Sequence, residues 1–126
     1  MLRVKLKHVD EWNNRRVKVA KRYLTEIAGN HGIVLPYVPD WAEPVWHLFV
    51  IRTKERETLQ QKLSDKGIQT LIHYPIPPYL SDAYKEYCWG KSSFVISESL
   101  ADEVLSIPMG PHMTEEQIEY VITNLY

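Results

Sequence analysis

Three prolines within four positions, Pro75, Pro77 and Pro78, close a stretch that reads as strand, helix and strand. Proline fixes φ, removes a backbone donor and pushes the preceding residue toward extended geometry. Residues 74–79 can therefore continue neither a helix nor the interior of a hydrogen-bonded sheet. The segment is a stiff connector at a strand's end. Upstream, residues 45–51 (VWHLFVI) are apolar on both alternating faces except at His47, the pattern of a central strand covered on two sides. Thr53 stands where a helix can be capped, Leu59 and Leu63 share one face of that helix, and Gly67 can end it. Residues 68–73 resume β-type composition and run into the prolines.

The flanking segments supply helices for such a sheet. Trp12, Val19, Tyr23 and Ile27 recur at offsets of seven and four, with Ala20 and Leu24 beside them, which predicts an amphipathic helix over 10–28 closed by Gly29 and Asn30. Residues 31–44 carry three prolines and read as an irregular approach to the central strand. Beyond the proline segment, residues 81–87 are expected to make a short helix and 89–93 a loop. A further helix is expected over 94–104 with Val95, Leu100 and Val104 inward. Residues 105–109 read as a short strand stopped by Pro108, Gly110 and Pro111. The last helix has the clearest start in the chain, because Thr114-Glu115-Glu116-Gln117 has the form of a capping box and Ile118, Val121, Ile122 and Leu125 follow at helical spacing. The fold class expected is α/β (α+β): a small open sheet of about three to four strands packed with helices, in one domain over residues 1–126.

Composition narrows the function classes. With 126 residues, 44% hydrophobic and 25% charged, the chain suits one globular core. Its longest apolar runs fall far short of the roughly 20 residues of a membrane span, and residues 1–7 lack the apolar centre of a secretory signal. A single cysteine, Cys88, rules out an internal disulfide and makes a reducing, cytoplasmic compartment the expectation. Residues 1–22 hold eight of the 15 lysines and arginines against Asp10 and Glu11, so that segment carries about +6 and the rest about −7. Arg15, Arg16, Lys18, Lys21 and Arg22 fall largely off the apolar stripe, which reads as a solvated helix face rather than a nucleic-acid or membrane surface.

Few motifs carry chemistry. There is no GxxxxGK[ST], GxGxxG, GxSxG or HExxH. The five histidines (His8, His31, His47, His73 and His112) lack ligand spacing, so no metal site is expected. Cys88, between Tyr87 and Trp89, reads as a small buried thiol rather than a nucleophile. His47 on a strand interior reads first as a core histidine. His73 and Tyr74 differ, because they stand where a strand runs out into a stiff loop, and open sheets place ligand contacts at such ends.

Three ordered blocks, LRVKLKHVDEWNNRR, VWHLFVIRTKERETLQQKLSDKGIQTLIHYPIPPYLSDAY and SESLADEVLSIPMGPHMTEEQIEYVITNL, resemble the C-terminal portion of the DegT/DnrJ/StrS family. These are pyridoxal-phosphate-dependent aminotransferases acting on nucleotide-linked keto sugars, in cell-surface polysaccharide and amino-sugar biosynthesis, and a dehydratase variant exists within the family. Its members are considerably longer. The resemblance implies that this chain is their small C-terminal domain and that it starts inside the segment leading out of the large cofactor domain. It also implies dimeric assembly and a missing partner, either that large domain or a neighbouring gene's product.

The resemblance places the Schiff-base lysine and most cofactor contacts in the large domain, and none of Lys54, Lys62, Lys66, Lys85 or Lys91 matches the family's lysine motif. No catalytic residue is assigned, and pyridoxal phosphate is expected in the full-length enzyme but not on this chain alone. The segment matching the family's HYPxPxHL stretch lies near bound nucleotide sugar, which implies substrate contacts from His73, Tyr74, Pro75 and Tyr79, with His47 a further candidate. Where many relatives carry histidine this chain has Tyr79, which can donate a hydrogen bond and stack but cannot bring positive charge to a diphosphate. The expected function is that of a sugar-nucleotide aminotransferase domain, with glutamate as amino donor, inactive alone. A stand-alone binding or dimerisation module that keeps the fold is the alternative, with Trp12, Trp41, Trp46 and Trp89 as its candidate exposed surface.

Overall fold

A computed structural model of the chain describes residues 2–29, 32–87 and 89–126. Two helices open it, α1 (Leu2–Leu6) and α2 (Val9–Glu26). Strand β1 (Phe49–Arg52) follows, then α3 (Arg56–Asp65), two 3-10 turns (Pro78–Leu80 and Asp82–Tyr87), α4 (Val95–Glu103), β2 (Val104–Ile107) and α5 (Glu115–Asn124).

The sheet is antiparallel and small. β1 pairs with β2 in the register Phe49 to Ile107, Val50 to Ser106, Ile51 to Leu105 and Arg52 to Val104. Each strand is flanked by one further bridge. Val34 exchanges both backbone hydrogen bonds with Arg52 at 2.8 and 2.9 Å, and Leu71 exchanges both with Ser106 at 3.1 and 2.7 Å. The order is thus the Val34 segment, β1, β2, the Leu71 segment, so β1 is interior as its composition predicts. The expected 68–73 strand is reduced to a single bridge, and the other bridge comes from Val34 in the segment expected to be irregular.

The core forms where the helix stripes meet one face of this sheet. Val19, Ala20, Tyr23 and Ile27 from α2 and its end, Phe49 and Ile51 from β1, Leu63 from α3, Leu105 and Ile107 from β2, and Ile118, Val121, Ile122 and Leu125 from the α5 region are all buried. Burying each Val, Leu, Ile or Phe side chain among them contributes about 1.5–3 kcal/mol. Tyr23 sets its ring edge-on to Phe49 at 5.0 Å and donates its hydroxyl to the Pro108 carbonyl at 2.9 Å, so the one polar atom of this large side chain is satisfied. Arg22, beside it, reaches three carboxylates, Glu26 at 2.6 Å, Glu115 at 2.9 Å and Glu119 at 2.6 Å, tying α2 to α5.

Two helix ends follow the expected chemistry. Thr114 accepts from the Gln117 amide at 3.2 Å while the Gln117 side chain accepts from the Thr114 amide at 3.0 Å, completing the capping box. At the end of α3, Gly67 adopts φ +74°, its N–H bonds the Ser64 carbonyl at 2.8 Å, and the Ile68 N–H reaches back to Leu63 at 2.9 Å. That is a Schellman closure, with Leu63 and Ile68 both buried beneath it.

Several boundaries depart from the sequence expectation. Strand β1 starts at Phe49 rather than Val45, because Trp46 sits at φ 54°, outside extended geometry, and lays its ring on Phe49 at 5.2 Å. His47 is consequently exposed in an irregular approach and is not a strand histidine. The 68–73 stretch makes a single bridge at Leu71, whose side chain is 64% exposed. Thr53 does not cap α3: its hydroxyl accepts from Glu55, two residues on, and the helix begins at Arg56. Strand β2 covers 104–107 rather than 105–109. In α4 the buried residue is Ala101, while Val95 is 67% exposed and Leu100 and Val104 are half-buried. The expected short helix at 81–87 is a 3-10 turn. Asn30, His31 and Cys88, with the readings attached to them, lie outside the described residues.

Candidate functional site

The proline segment leaves the sheet directly from the Leu71 bridge. Among the described residues, 73–87 and 89–94 then run outside regular helix and sheet, except for the two 3-10 turns, until α4 leads back into β2. Pro78 opens the first turn, a position where its missing N–H has no helical partner to lose.

His73 is held at the point of departure. Its Nδ1 lies 2.9 Å from Ser106 Oγ, and Ser106 is a buried residue of β2 that also makes both backbone bonds to Leu71. One serine therefore fixes the backbone and the imidazole of the same segment, leaving Nε2 as the ring atom turned away from that contact. The His73–Tyr74 peptide is cis, and the two rings meet edge to face at 5.5 Å. Tyr74 is 72% exposed and Pro75 is exposed beside it.

Tyr79 has a different environment. It is buried, packs its ring against Phe94 at 4.8 Å and donates its hydroxyl to the Glu98 carboxylate. Burial first, and then the hydrogen bond to the Glu98 carboxylate, push its phenol up to about 12. The Glu98 carboxyl is held below the usual carboxylate range, chiefly because Tyr79 donates to it, with the Ser92 amide donating at 2.6 Å as well. From Tyr79 a relay of ring contacts continues through Phe94, Trp89, Tyr87 and Tyr84, with Tyr87 and Trp89 stacked at 5.1 Å.

The structure thus sets His73 and Tyr74 ring to ring with Pro75 next in the chain, packs Tyr79 separately against Phe94 and Glu98, and leaves His47 apart. No hydrogen bond or ring contact links His47 to the other four among the described residues. Ser106 and Glu98 escape a reading of the sequence. Each is an ordinary residue of a predicted element, and its partner lies 33 or 19 positions away. The one available signal is Ser106 itself, a polar residue between Leu105 and Ile107 in an otherwise apolar strand.

A broad groove lies elsewhere. A groove of about 1120 Å³ runs between α3, the 67–71 segment and α5, with Ile68, Met109 and Met113 among its apolar lining and Gln60, Thr70 and Tyr120 among its polar lining. None of the five candidate residues lines it. Among the described residues no three His, Cys, Asp or Glu side chains group to hold a metal, and no helix is long and apolar enough to cross a membrane.

The described side chains do not fit pyridoxal phosphate. Its site requires a lysine amine beside an acid, with donors for the phosphate. Every described lysine side chain is exposed, and Lys62, on α3, donates to the Tyr126 carbonyl instead.

Comparison with known proteins places this geometry. The model of the DegT/DnrJ/EryC1/StrS aminotransferase family matches residues 1–126. The erythromycin biosynthesis sensory transduction protein EryC1 of Saccharopolyspora erythraea is 50% identical over 99% of this chain and 34% of its own length. The dTDP-3-amino-3,4,6-trideoxy-alpha-D-glucose transaminase of Streptomyces venezuelae is 45% identical over 97% of this chain and 32% of its own. Among solved structures, Streptomyces venezuelae DesV in complex with a ketimine intermediate superposes with a TM-score of 0.94 at 45% identity, over 98% of this chain and 33% of that one. Bacillus subtilis NtdA with bound cofactor PMP does so with a TM-score of 0.77 at 30% identity, over 90% and 27%. The chain spans about a third of the length of the relatives it matches, and over all of its own residues it belongs to the DegT/DnrJ/EryC1/StrS aminotransferase family.

Proposed function

We propose that residues 1–126 form the single small domain of a sugar-nucleotide aminotransferase, and that the 73–75 corner contributes to the nucleotide-sugar side of its active site. The observation that carries this reading is the pairing of a stiff, proline-rich exit from the sheet with a half-buried His73 anchored on Ser106 and an exposed Tyr74 beside it. An imidazole and a phenol presented on a rigid support can hydrogen-bond and stack on a sugar or its phosphates. The transaminase relative acts on a dTDP-linked amino sugar, which supports a nucleotide-linked keto sugar as the substrate class here. Pyridoxal phosphate and its Schiff-base lysine come from the remaining two-thirds of the fold, with glutamate as amino donor, in a cytoplasmic homodimer. His47, exposed and apart, is the weakest contact in this reading, and Tyr79 supports rather than touches the substrate.

The test joins this chain to the large domain of the Streptomyces venezuelae transaminase in place of its matching third. Amino transfer from glutamate to a keto sugar nucleotide is expected from the joined protein and not from this chain alone. An inert but folded and cofactor-loaded hybrid would remove the reading.

A second reading rests on one specific observation. Leu2, Val4 and Leu6 of α1 are 83%, 64% and 70% exposed, and Trp41 is 87% exposed, so the molecule carries apolar surface suited to a partner. A stand-alone docking or dimerisation module would use that surface without catalysis. Sedimentation of the chain at high concentration separates the two, because a strict monomer has no persistent self-interface.

A further inference from the structure

The excursion over 73–94 has two arms, one descending through Tyr79 and one returning through Ser92 to α4. Outside its two short 3-10 turns this segment lacks the repeating backbone bonds of helix or sheet, so how its arms sit together depends on what its side chains hold. Glu98, in the first turn of α4, holds both arms. Its carboxylate accepts from the Tyr79 hydroxyl on one arm and from the Ser92 amide, at 2.6 Å, on the other. Ser92 sits at φ 71°, a conformation that side-chain-bearing residues seldom adopt, and its N–H is thereby directed at the carboxylate. Tyr79 and Phe94, one from each arm, close over the contact at 4.8 Å. Charge-assisted bonds to a carboxylate are stronger than neutral ones, and two of them converge here.

We infer that Glu98 is a positioning residue: by drawing Tyr79 and Ser92 onto one carboxylate it fastens the arms of the excursion together and sets where His73 and Tyr74 stand. The clamp itself rests on geometry alone. Its consequence for substrate rests on the nucleotide-sugar reading above. Ser106 fixes the excursion at its origin and Glu98 fixes it halfway, so the corner between them is held from both sides.

Two measurements test this. In the chain itself, Glu98→Ala should accelerate amide exchange at least about tenfold across residues 74–94, while Phe49–Arg52 and Val104–Ile107 keep their protection. In the joined transaminase, Glu98→Ala should raise KM for the keto sugar nucleotide about tenfold with kcat and the KM for glutamate within about twofold, and Glu98→Gln, which keeps an acceptor oxygen, should recover most of it. Unchanged exchange over 74–94 in Glu98→Ala overturns the clamp. A KM raised by Tyr74→Ala but untouched by Glu98→Ala overturns the positioning role. If Tyr74→Ala leaves KM unaltered while exchange still responds to Glu98→Ala, the clamp stands and the nucleotide-sugar reading fails. Should Glu98→Ala lose protection throughout, Tyr79→Phe, which deletes one donor and keeps the ring, takes its place under the same expectations.

Discussion

The half of the molecule built from α2, β1, α3, β2 and α5 and the excursion over 73–94 are held by different physics. In the first, Tyr23, Phe49, Ile51, Leu63 and Leu105 are fully buried, and the start of α5 and the end of α3 are closed by local capping motifs. In the second, Tyr84, Tyr87, Trp89 and Phe94 are 45–55% exposed despite touching one another in series, and the organising contacts are single side-chain bonds at Ser106 and Glu98. Large rings that remain half in water contribute only part of their burial energy. The difference teaches that the candidate site is carried by a segment organised by specific side-chain contacts rather than by the buried core.

The strongest attempt to break that contrast is to damage the core and watch the excursion. Phe49→Ala removes a fully buried ring that touches both Tyr23 and Trp46, and a loss of about 3–5 kcal/mol in urea-induced unfolding is expected. Next in size is Gly67→Ala. An added Cβ meets nothing within 4 Å, so the cost is purely the left-handed backbone, about 1–2 kcal/mol by the same assay.

Smaller, and readable only against pH, is the arginine hub. Arg22 holds the Glu26 carboxyl below its ordinary value by hydrogen bonding to it, so the pair stabilises the fold above the unfolded carboxylate value of about 4.3 and that contribution is lost as pH falls through the folded one. Arg22→Met should therefore lower the neutral-pH midpoint slightly and flatten the decline on the acid side. An unchanged slope in acid titrations followed by circular dichroism would remove Arg22 as a contributor. The smallest global effect is expected from Trp89→Ala, within about 1 kcal/mol, with exchange rising locally over 84–94. An effect as large as that of Phe49→Ala would erase the distinction between the two regions.

How far the sequence discloses this arrangement depends on how local each device is. The Thr114–Gln117 capping box, the α2 stripe and the Gly67 closure are legible because each is complete within a few residues. The apolar run 45–48 misleads because periodicity cannot tell a strand from a turn whose large residues fold back, and the positive φ of Trp46 leaves no compositional trace. Val95 misleads likewise: α4 is short, and small Ala101 takes the inward position. Within the candidate site, the prolines mark the connector and the family resemblance marks His73, Tyr74 and Tyr79. What the sequence does not disclose is that Tyr79 is buried against Glu98, a side chain nothing in its own neighbourhood singles out.

The antiparallel pairing of β1 with β2 carries one more consequence. These strands stand side by side although some fifty residues separate them, and everything from Thr53 to Glu103 is a closed loop on the pair. A single proteolytic nick near Lys91 would divide the chain into a piece bearing α2, β1 and α3 and a piece bearing β2 and α5, each holding half of one shared interior. The two cleaved pieces should co-migrate on gel filtration and part only in denaturant.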